Sequence, residues 1–351
     1  MNPELSEAEI QLLIARIELS SPIETPNNHG YAFYPRDLEQ ASKYFGEFLV
    51  DWSQASSSLR SKGLLARVGQ EDLLTEQGDA LAARLRKERP PIWYWYRSYY
   101  IRTHQSAAHA RFCEQVFGMN LCQDGFSDIK QIDRLIEIAG ISHNDRVLDL
   151  GCGNGMISEY LSDRTGAVVH GIDYIPDAIE QADRRTEPKR GRLSFRVGNL
   201  DQIDDSEGAF DLVVSIDSMY MPTDLVSTVR QVKRVLRPAG AIAVFYTYFA
   251  QGGQAGRAPS EQSETDLTRA FVANQLEYLV FDFSKENYEL MQRKHRVAES
   301  LREEYERERN GVLYETVHQQ SIHSSEPYDP DRSRVSRYLY LVARKNGLKG
   351  A

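Results

Sequence analysis

The hydrophobic pattern changes its period near residue 146. Before that point apolar residues recur every three or four positions, most clearly in residues 37–89, which predicts helices with one buried face. After it, short and nearly continuous apolar runs alternate with helical segments, as buried parallel strands do. The sequence therefore predicts a mainly helical N-terminal domain followed by a doubly wound α/β domain.

Seven apolar segments predict the strands of the α/β domain. They are residues 146–150, 168–173, 193–197, 212–217, 241–247, 276–283 and 338–343. Helices between such strands cover both faces of the sheet through right-handed crossovers. The long gap before the last strand holds a charged helical run and a Ser/Pro/Asp-rich loop, so we predict a lid-like insertion at residues 284–335.

The part of the chain before the sheet divides into two predicted segments. Residues 1–30 pass from a short amphipathic run into a Pro/Asn/Gly-rich stretch, which is typical of a flexible arm. Residues 31–116 form the predicted N-terminal domain, and the stretch 53–88 resembles the end of a winged-helix unit. Its helix carries few cations, so dimerisation or substrate covering is favoured over DNA reading. The α/β domain is predicted at residues 117–346.

Charge and cysteine content narrow the class of protein. The net charge of -9 and the pI near 5.5 argue against nucleic acid or an anionic membrane as partner. The first residues lack a signal-peptide pattern, and no apolar run reaches transmembrane length. The three cysteines have no metal-type spacing. We therefore expect a cytoplasmic protein with reduced thiols and no metal site.

The strongest motif is a glycine-rich turn that follows the first strand. Residues 147–155 read VLDLGCGNG, and glycine allows a tight turn that touches a ligand. Met156 stands where a dinucleotide fingerprint has its third glycine, and no P-loop lysine follows. Asp149 would repel a phosphate but attract an ammonium group. This pattern favours a sulfonium nucleoside, held by Asp149 and by three residues of the turn, Gly151, Cys152 and Gly153.

Two further motifs follow the second and third strands. Asp173 lies about twenty residues after the first glycine, where an acid can bind both ribose hydroxyls. Tyr174 comes next and is predicted to lie against the adenine. Asn199 and Leu200 follow the third strand, where an amide would read the adenine amino group. Capping of its own loop is the alternative role for Asn199.

These motifs occur in one order along the chain. The glycine turn, Asp173 and residues 198–199 are followed by an acidic apolar strand at 210–217 and by residues 236–241, LRPAGA. This order resembles the class I S-adenosylmethionine-dependent methyltransferases, especially the small-molecule enzymes of the glycine and sarcosine type. The resemblance implies a seven-stranded Rossmann-like sheet whose last strand is antiparallel, S-adenosyl-L-methionine as cofactor, and a small-molecule acceptor. Asn199 and Ala239 depart from the more usual Asp and Gly.

Candidate residues for the reaction lie at the ends of the fourth and fifth strands. Asp217 is predicted to contact the cofactor, and Tyr220 and Tyr246 are candidate catalytic residues, with packing as the alternative for both tyrosines. His104 is a third candidate, although a lone histidine is more often structural. Residues 118–126 are predicted to close over the methionine end of the cofactor. Methyl transfer from a sulfonium requires orientation and exclusion of water rather than a fixed triad.

Two functional hypotheses remain open on the sequence alone. The first is a methyltransferase for a small molecule, with N- or O-methylation favoured and C-methylation as a further option. The second is a ligand-sensing regulator that binds DNA through the winged-helix-like domain without catalysis. Methylation of macromolecules has no supporting segment or basic face. A homodimer is the expected assembly, without nucleic acid or membrane as a partner.

Overall fold

The computed structural model describes residues 4–20, 52–123, 125–249, 265–333 and 335–342. The chain divides into two compact units, Met1–Tyr99 and Tyr100–Ala351. The sequence places the corresponding boundary later, between residues 116 and 117. The difference arises because the helix of residues 107–117 buries one face, including Phe112 and Phe117, against later parts of the second unit.

The first unit is built from helices and one short hairpin. Its elements are α1 (Glu7–Ser20), α2 (Trp52–Ser61), β1 (Leu65–Val68), β2 (Glu71–Leu74), α3 (Glu76–Glu88) and the first part of α4 (Pro91–Gln105). Leu12 and Leu13 of α1 are buried in one core with residues of α2 and α3. The structure therefore differs from the predicted flexible arm at residues 7–20, because this apolar face has a packing partner. The helical run predicted at residues 37–51 lies outside the described residues.

The first unit contains a short hairpin that turns at a glycine. β1 and β2 pair in antiparallel register from Leu65–Leu74 to Val68–Glu71, and Gly69 in the turn has φ +62°. The Thr75 side chain then caps α3 by accepting a hydrogen bond from the Gly78 backbone N–H at 3.1 Å. The likeness of this segment to a winged helix stays a prediction.

The second unit contains the predicted seven-stranded sheet. Its strands are β3 (Arg146–Leu150), β4 (Val168–Asp173), β5 (Leu193–Val197), β6 (Phe210–Ile216), β7 (Leu236–Phe249), β8 (Leu279–Asp282) and β9 (Val335–Val342). They lie in the order β5-β4-β3-β6-β7-β9-β8. β9 is antiparallel to both of its neighbours, whereas the pairs from β5 to β7 are parallel. This arrangement confirms the predicted fold class.

Helices flank the sheet along the chain. They are α5 (Ala107–Phe117), α6 (Ile129–Ala139), α7 (Met156–Thr165), α8 (Pro176–Arg185), α9 (Leu225–Val235), α10 (Asp266–Ala273), α11 (Ser284–Arg307) and α12 (Gly311–Gln319). Successive residues of a strand point to opposite faces, and in β3 both sets are buried: Leu148 packs in one apolar cluster and Val147 in the other. This double burial explains the continuous apolar strands in the sequence.

The predicted insertion forms α11, α12 and the loop before β9. α11 is fixed to the rest of the second unit by Arg293, which donates hydrogen bonds to the Val116 carbonyl and to Asp128 at 2.7 and 2.9 Å. Lys294 is buried, and its Nζ lies 5.0 Å from the centre of the Phe126 ring. The role of the insertion as a lid remains a prediction. No helix among the described residues is long and apolar enough to cross a membrane.

Candidate functional site

The glycine turn after β3 is held against β4 by its backbone. Gly151 and Cys152 donate N–H hydrogen bonds to the Ile172 carbonyl at 2.8 and 3.0 Å. Gly151, Gly153 and Gly155 have φ angles of +73°, +56° and +72°, a region that side chains with a Cβ rarely occupy. Burial raises the pKa of the Cys152 thiol, so this side chain is a neutral part of the wall.

Neighbouring side chains lie so close to the turn that a residue with a Cβ atom would not fit there. A Cβ at Gly151 would lie 2.4 Å from the Cβ of Ser218, and a Cβ at Gly153 would lie 2.3 Å from the Oη of Tyr100. The Tyr100 phenol therefore covers the backbone at Gly153, which is buried. A turn without Cβ atoms lets its backbone approach a neighbouring group directly.

This geometry gives a first prediction, for Gly153→Ala. The new methyl group meets the Tyr100 ring and a positive φ, so we expect ligand affinity at the turn to fall at least about tenfold. Gly140→Ala is the matched control, because Gly140 has φ +63° but nothing within 4 Å of its Cβ position. Calorimetric titration of both variants measures the effect. Equal loss in the two variants would show that φ strain alone, and not the close approach, is responsible.

Asp173 is held in place by backbone donors at the end of β4. Its two carboxylate oxygens accept hydrogen bonds from the backbone N–H groups of Gly153 and Ile175, each at 2.9 Å. Burial raises the pKa of Asp173 to about 6, although these N–H groups favour the ionised form. Both oxygens keep lone pairs for further donors. The carboxylate thus has a fixed orientation beside the glycine turn, as the ribose prediction requires.

Asp149 is a second buried carboxylate next to the same turn. It accepts a hydrogen bond from the Ser158 hydroxyl at 2.5 Å. Burial is again the main reason that the pKa of Asp149 rises to about 6, and the nearby charge of Asp173 raises it further. In the described part of the chain no lysine or arginine forms an ion pair with either carboxylate. The site therefore holds uncompensated negative charge, which favours a cationic ligand and disfavours a phosphate.

The residues predicted to lie near the adenine are more exposed than the two buried carboxylates. Tyr174 is half-buried after β4, and Leu200 is buried among the core residues of the sheet. The exposed Asn199 accepts a hydrogen bond through Oδ1 from the Asp201 backbone N–H at 2.9 Å. This contact is an Asx turn, the alternative role that the sequence allowed. The side-chain amide nitrogen of Asn199 is not used in that contact.

Asp217 has a different environment from the one predicted. Its carboxylate forms a bidentate pair with Arg337 of β9, with Nη1–Oδ1 at 2.5 Å and Nη2–Oδ2 at 3.0 Å, and neither side chain is accessible beyond 6%. Oδ2 also accepts the backbone N–H of Phe126 at 3.0 Å. This carboxylate is therefore engaged in fixing the loop at residues 125–127. Any contact of Asp217 with a cofactor would have to come from its backbone, which has φ +59°.

The two candidate tyrosines lie together at the ends of β6 and β7. The rings of Tyr220 and Tyr246 meet edge to face with centres 5.4 Å apart. Tyr246 is fully buried, and burial raises the pKa of its phenol, so it stays protonated and favours the packing role. Tyr220 is half-buried at the rim of this aromatic cluster. Of the two, Tyr220 is the one in a position to meet an acceptor.

The two histidines near the start of the second unit differ in how deeply they are buried. His104 is exposed on the last turn of α4, one helical turn beyond Tyr100. His109 is buried in α5, 3.2 Å from the Tyr305 hydroxyl through Nδ1. Burial lowers the pKa of His109 to about 3. This histidine is neutral at physiological pH and joins α5 to α11.

Sequence reasoning missed three residues that shape the site. They are Tyr100, which covers Gly153, Ser158, which binds Asp149, and Arg337, which pairs with Asp217. The first and the last of these contacts join distant positions, and Arg337 and Asp217 are 120 residues apart. A lone arginine inside an otherwise apolar strand was the available signal, since a buried arginine requires a carboxylate partner.

Comparison with known proteins agrees with this geometry. Residues 147–240 match the family described as a methyltransferase domain. The chain is 33% identical over 117 residues to Methyltransferase GfsG of Streptomyces halstedii, covering 33% of this chain and 42% of that protein. It is 28% identical over 148 residues to 27-O-demethylrifamycin SV methyltransferase of Amycolatopsis mediterranei, covering 39% and 54%. The chain thus spans about half the length of the curated relatives that it matches.

A solved structure supports the fold alone. It is provisionally described as a sarcosine dimethylglycine methyltransferase from Galdieria sulphuraria, with a TM-score of 0.50 and 15% identity over 71% of this chain and 98% of that one. The matched segment 147–240 contains the glycine turn, Asp173 and β6. Residues 147–240 thus match a methyltransferase domain, and the strand order of the second unit is the Rossmann-like one that the sequence predicts.

Proposed function

We propose that this chain transfers a methyl group from S-adenosyl-L-methionine to the nitrogen or oxygen of a small molecule. The observation that carries the proposal is the pair of buried carboxylates, Asp149 and Asp173, beside a turn that has no room for a side chain. Their negative charge has no ion-pair partner in the described ranges. A ligand with a sulfonium and an ammonium group supplies the missing positive charge.

Each residue around the turn has a proposed task in binding. Asp173 would accept the two ribose hydroxyls, since backbone N–H groups already fix its orientation. Asp149 would attract the ammonium group, with Ser158 holding the carboxylate in place. Gly151 and Gly153 would let the backbone lie directly against the methionine part. Tyr174 and Leu200 would lie on either side of the adenine.

The bound cofactor supplies an activated methyl group with a neutral thioether as leaving group. The chain then has to orient the acceptor and exclude water. Neither Tyr246 nor His109 is suited to act as a base at neutral pH, because burial keeps the Tyr246 phenol protonated and lowers the pKa of the His109 imidazole to about 3, so that it binds a proton only weakly. The proposed reaction therefore depends on positioning, with Tyr220 at the acceptor.

The surroundings of Tyr220 favour an uncharged acceptor with an aromatic or similarly flat part. Tyr246, Tyr248 and Tyr338 continue the cluster of rings, with centres 4.7 Å apart for the first pair and 6.2 Å for the second. Aromatic rings recognise flat ligands by stacking and edge contacts. The name of the rifamycin relative places its methyl group on oxygen. A hydroxyl acceptor is therefore the first to test.

Two measurements test the proposal. Calorimetric titration of the full chain with S-adenosylmethionine should give saturable binding near one equivalent. Incubation with radiolabelled cofactor and a cell extract, followed by separation by size, should place the label in the small-molecule fraction. Absence of cofactor binding would refute the proposal. Label found only in macromolecules would refute the acceptor class, and sequence-specific DNA binding without transfer would favour the regulator.

The same carboxylates predict how binding depends on pH. Asp149 and Asp173 have pKa values raised to about 6, and a cationic ligand prefers their ionised forms. Binding should therefore be strongest above about pH 7 and should weaken as the pH falls through 6, by up to about tenfold per pH unit for each proton that must be released. Calorimetric titrations between pH 5 and pH 8 measure this. A pH-independent affinity would contradict the proposed charge pairing.

A further inference from the structure

Three histidines meet on the insertion, away from the glycine turn. His295 lies on α11, His318 near the end of α12, and His323 in the loop that follows. The ring centres of His318 and His323 lie 4.7 and 4.6 Å from that of His295. Glu299 follows His295 by four residues on α11, so the two side chains share one helix face. The second unit thus gathers imidazole and carboxylate ligands from two helices.

The spacing of these groups suits a metal ion. One ligand atom each from His295, Glu299 and His318 lies within 4.8 Å of the others. Ligands around a tetrahedral zinc ion, with bonds of about 2.0–2.1 Å, are about 3.3 Å apart. The ligand atoms that lie farthest apart therefore have to approach each other by about 1.5 Å.

The hydrogen bonds of the cluster leave suitable lone pairs. The Ser321 hydroxyl donates its proton to the His318 carbonyl at 2.5 Å, so it accepts a hydrogen bond from Nδ1 of His295 at 3.1 Å. The proton of neutral His295 is therefore on Nδ1, and Nε2 keeps its lone pair. This is the arrangement of a metal-binding histidine whose second nitrogen is held by an outer partner.

His318 already contacts one of the other proposed ligands. Its Nε2 atom lies 2.7 Å from Oε1 of Glu299, the distance of a hydrogen bond or ion pair. A zinc ion would replace this contact, since the ligand atoms around it lie about 3.3 Å apart.

We propose that His295, Glu299 and His318 bind a zinc ion, with His323 or water as the fourth ligand. Zinc prefers imidazole nitrogen and carboxylate oxygen in a tetrahedral arrangement. The bound ion would join α11 to α12 and so stiffen the insertion. This site was not predicted from the sequence, because its ligands are spread over 29 positions with no recognisable spacing. The proposal does not depend on the identity of the methyl acceptor.

Tyr314 helps to hold Glu299 in the cluster. Its hydroxyl donates a hydrogen bond to Oε1 of Glu299 at 2.9 Å and so fixes the carboxylate beside His318, as an outer partner of a metal ligand does.

The test uses the full chain after treatment with a chelator. Titration with zinc against a chromophoric competitor should show one tight site, and cobalt in place of zinc should give the visible absorption of tetrahedral coordination. His318→Ala and Glu299→Gln should each weaken zinc binding by more than the tenfold to hundredfold that outer-shell changes cost. His143→Ala, an exposed histidine remote from the cluster in sequence, should bind zinc like the unchanged chain.

The readouts also separate a site from surface binding. A specific site raises the melting temperature at saturating zinc, and His318→Ala removes this rise. Equal zinc affinity in His318→Ala and His143→Ala would overturn the proposal, as would cobalt spectra without tetrahedral features. If His318→Ala fails to fold, Glu299→Gln, which keeps the size of the side chain, decides the question. Binding of S-adenosylmethionine by the zinc-free chain shows independently whether the proposed function holds.

Discussion

Replacing Asp173 with alanine is expected to abolish measurable binding of S-adenosylmethionine, with affinity at least about a hundredfold lower. The substitution removes two proposed hydrogen bonds from a charged acceptor, each worth about 1.5–3 kcal/mol. It also takes the acceptor away from the Gly153 backbone N–H, which helps to shape the turn. Calorimetric titration of the purified variant measures the loss, and methyl transfer should disappear with it.

Asp183→Ala is the matched control for this substitution. Asp183 is an exposed carboxylate on α8, the helix that follows Asp173 in the chain. Its removal changes the net charge by the same amount without touching the glycine turn, so affinity should stay within about twofold of the unchanged chain. If Asp173→Ala folds normally and binds the cofactor as well as Asp183→Ala does, the proposed ribose contact is wrong.

Replacing Arg337 with methionine is expected to destabilise the second unit by about 3–5 kcal/mol. The guanidinium is fully buried and donates hydrogen bonds to Asp217, Gln131, Thr247 and Ser127. Without it the Asp217 carboxylate remains buried without a counter-charge, which is the costly half of a broken ion pair. We expect the melting temperature to fall by roughly 10 °C, as measured by calorimetry or circular dichroism.

Two further variants show whether charge burial is the cause. Arg134→Met breaks an exposed pair with Glu137, and such pairs contribute about 0–1 kcal/mol. The double variant Arg337→Met with Asp217→Leu removes both buried charges and should recover part of the lost stability, since no unpaired ion remains. A double variant less stable than Arg337→Met alone would indicate that packing, and not the ion pair, carries the effect.

The sheet was predictable because its central strands, such as β3 and β6, are buried on both faces. An apolar run such as VLDL or FDLVVSI that lies between helical segments is typical of a parallel strand covered on both faces. All seven predicted strands are present. The ends differ by a few residues: β7 begins at Leu236 rather than 241, and β8 is confined to Leu279–Asp282. Strand ends depend on partners that a single segment does not reveal.

The parts of the candidate site that depend on local backbone shape could be predicted from the sequence. The positive φ angles of the glycine turn and the position of Asp173 follow from motifs within some twenty residues. The cofactor contact of Asp217 stays a prediction, and the pairing of its carboxylate with Arg337 of another strand could not be predicted from a local motif. The same holds for Tyr100, whose contact with Gly153 joins positions that no periodic pattern connects.

The position of β9 inside the sheet has a consequence for synthesis of the chain. Among the described residues β8 pairs only with β9, so residues 279–282 have no strand partner until residues 338–341 have been made. Strands β3 to β7 therefore leave the ribosome before β9 has been made. During that time the edge of β7 is not yet paired with β9. Such an edge favours aggregation, and slow release or chaperone binding near the end of translation should raise the yield of folded protein.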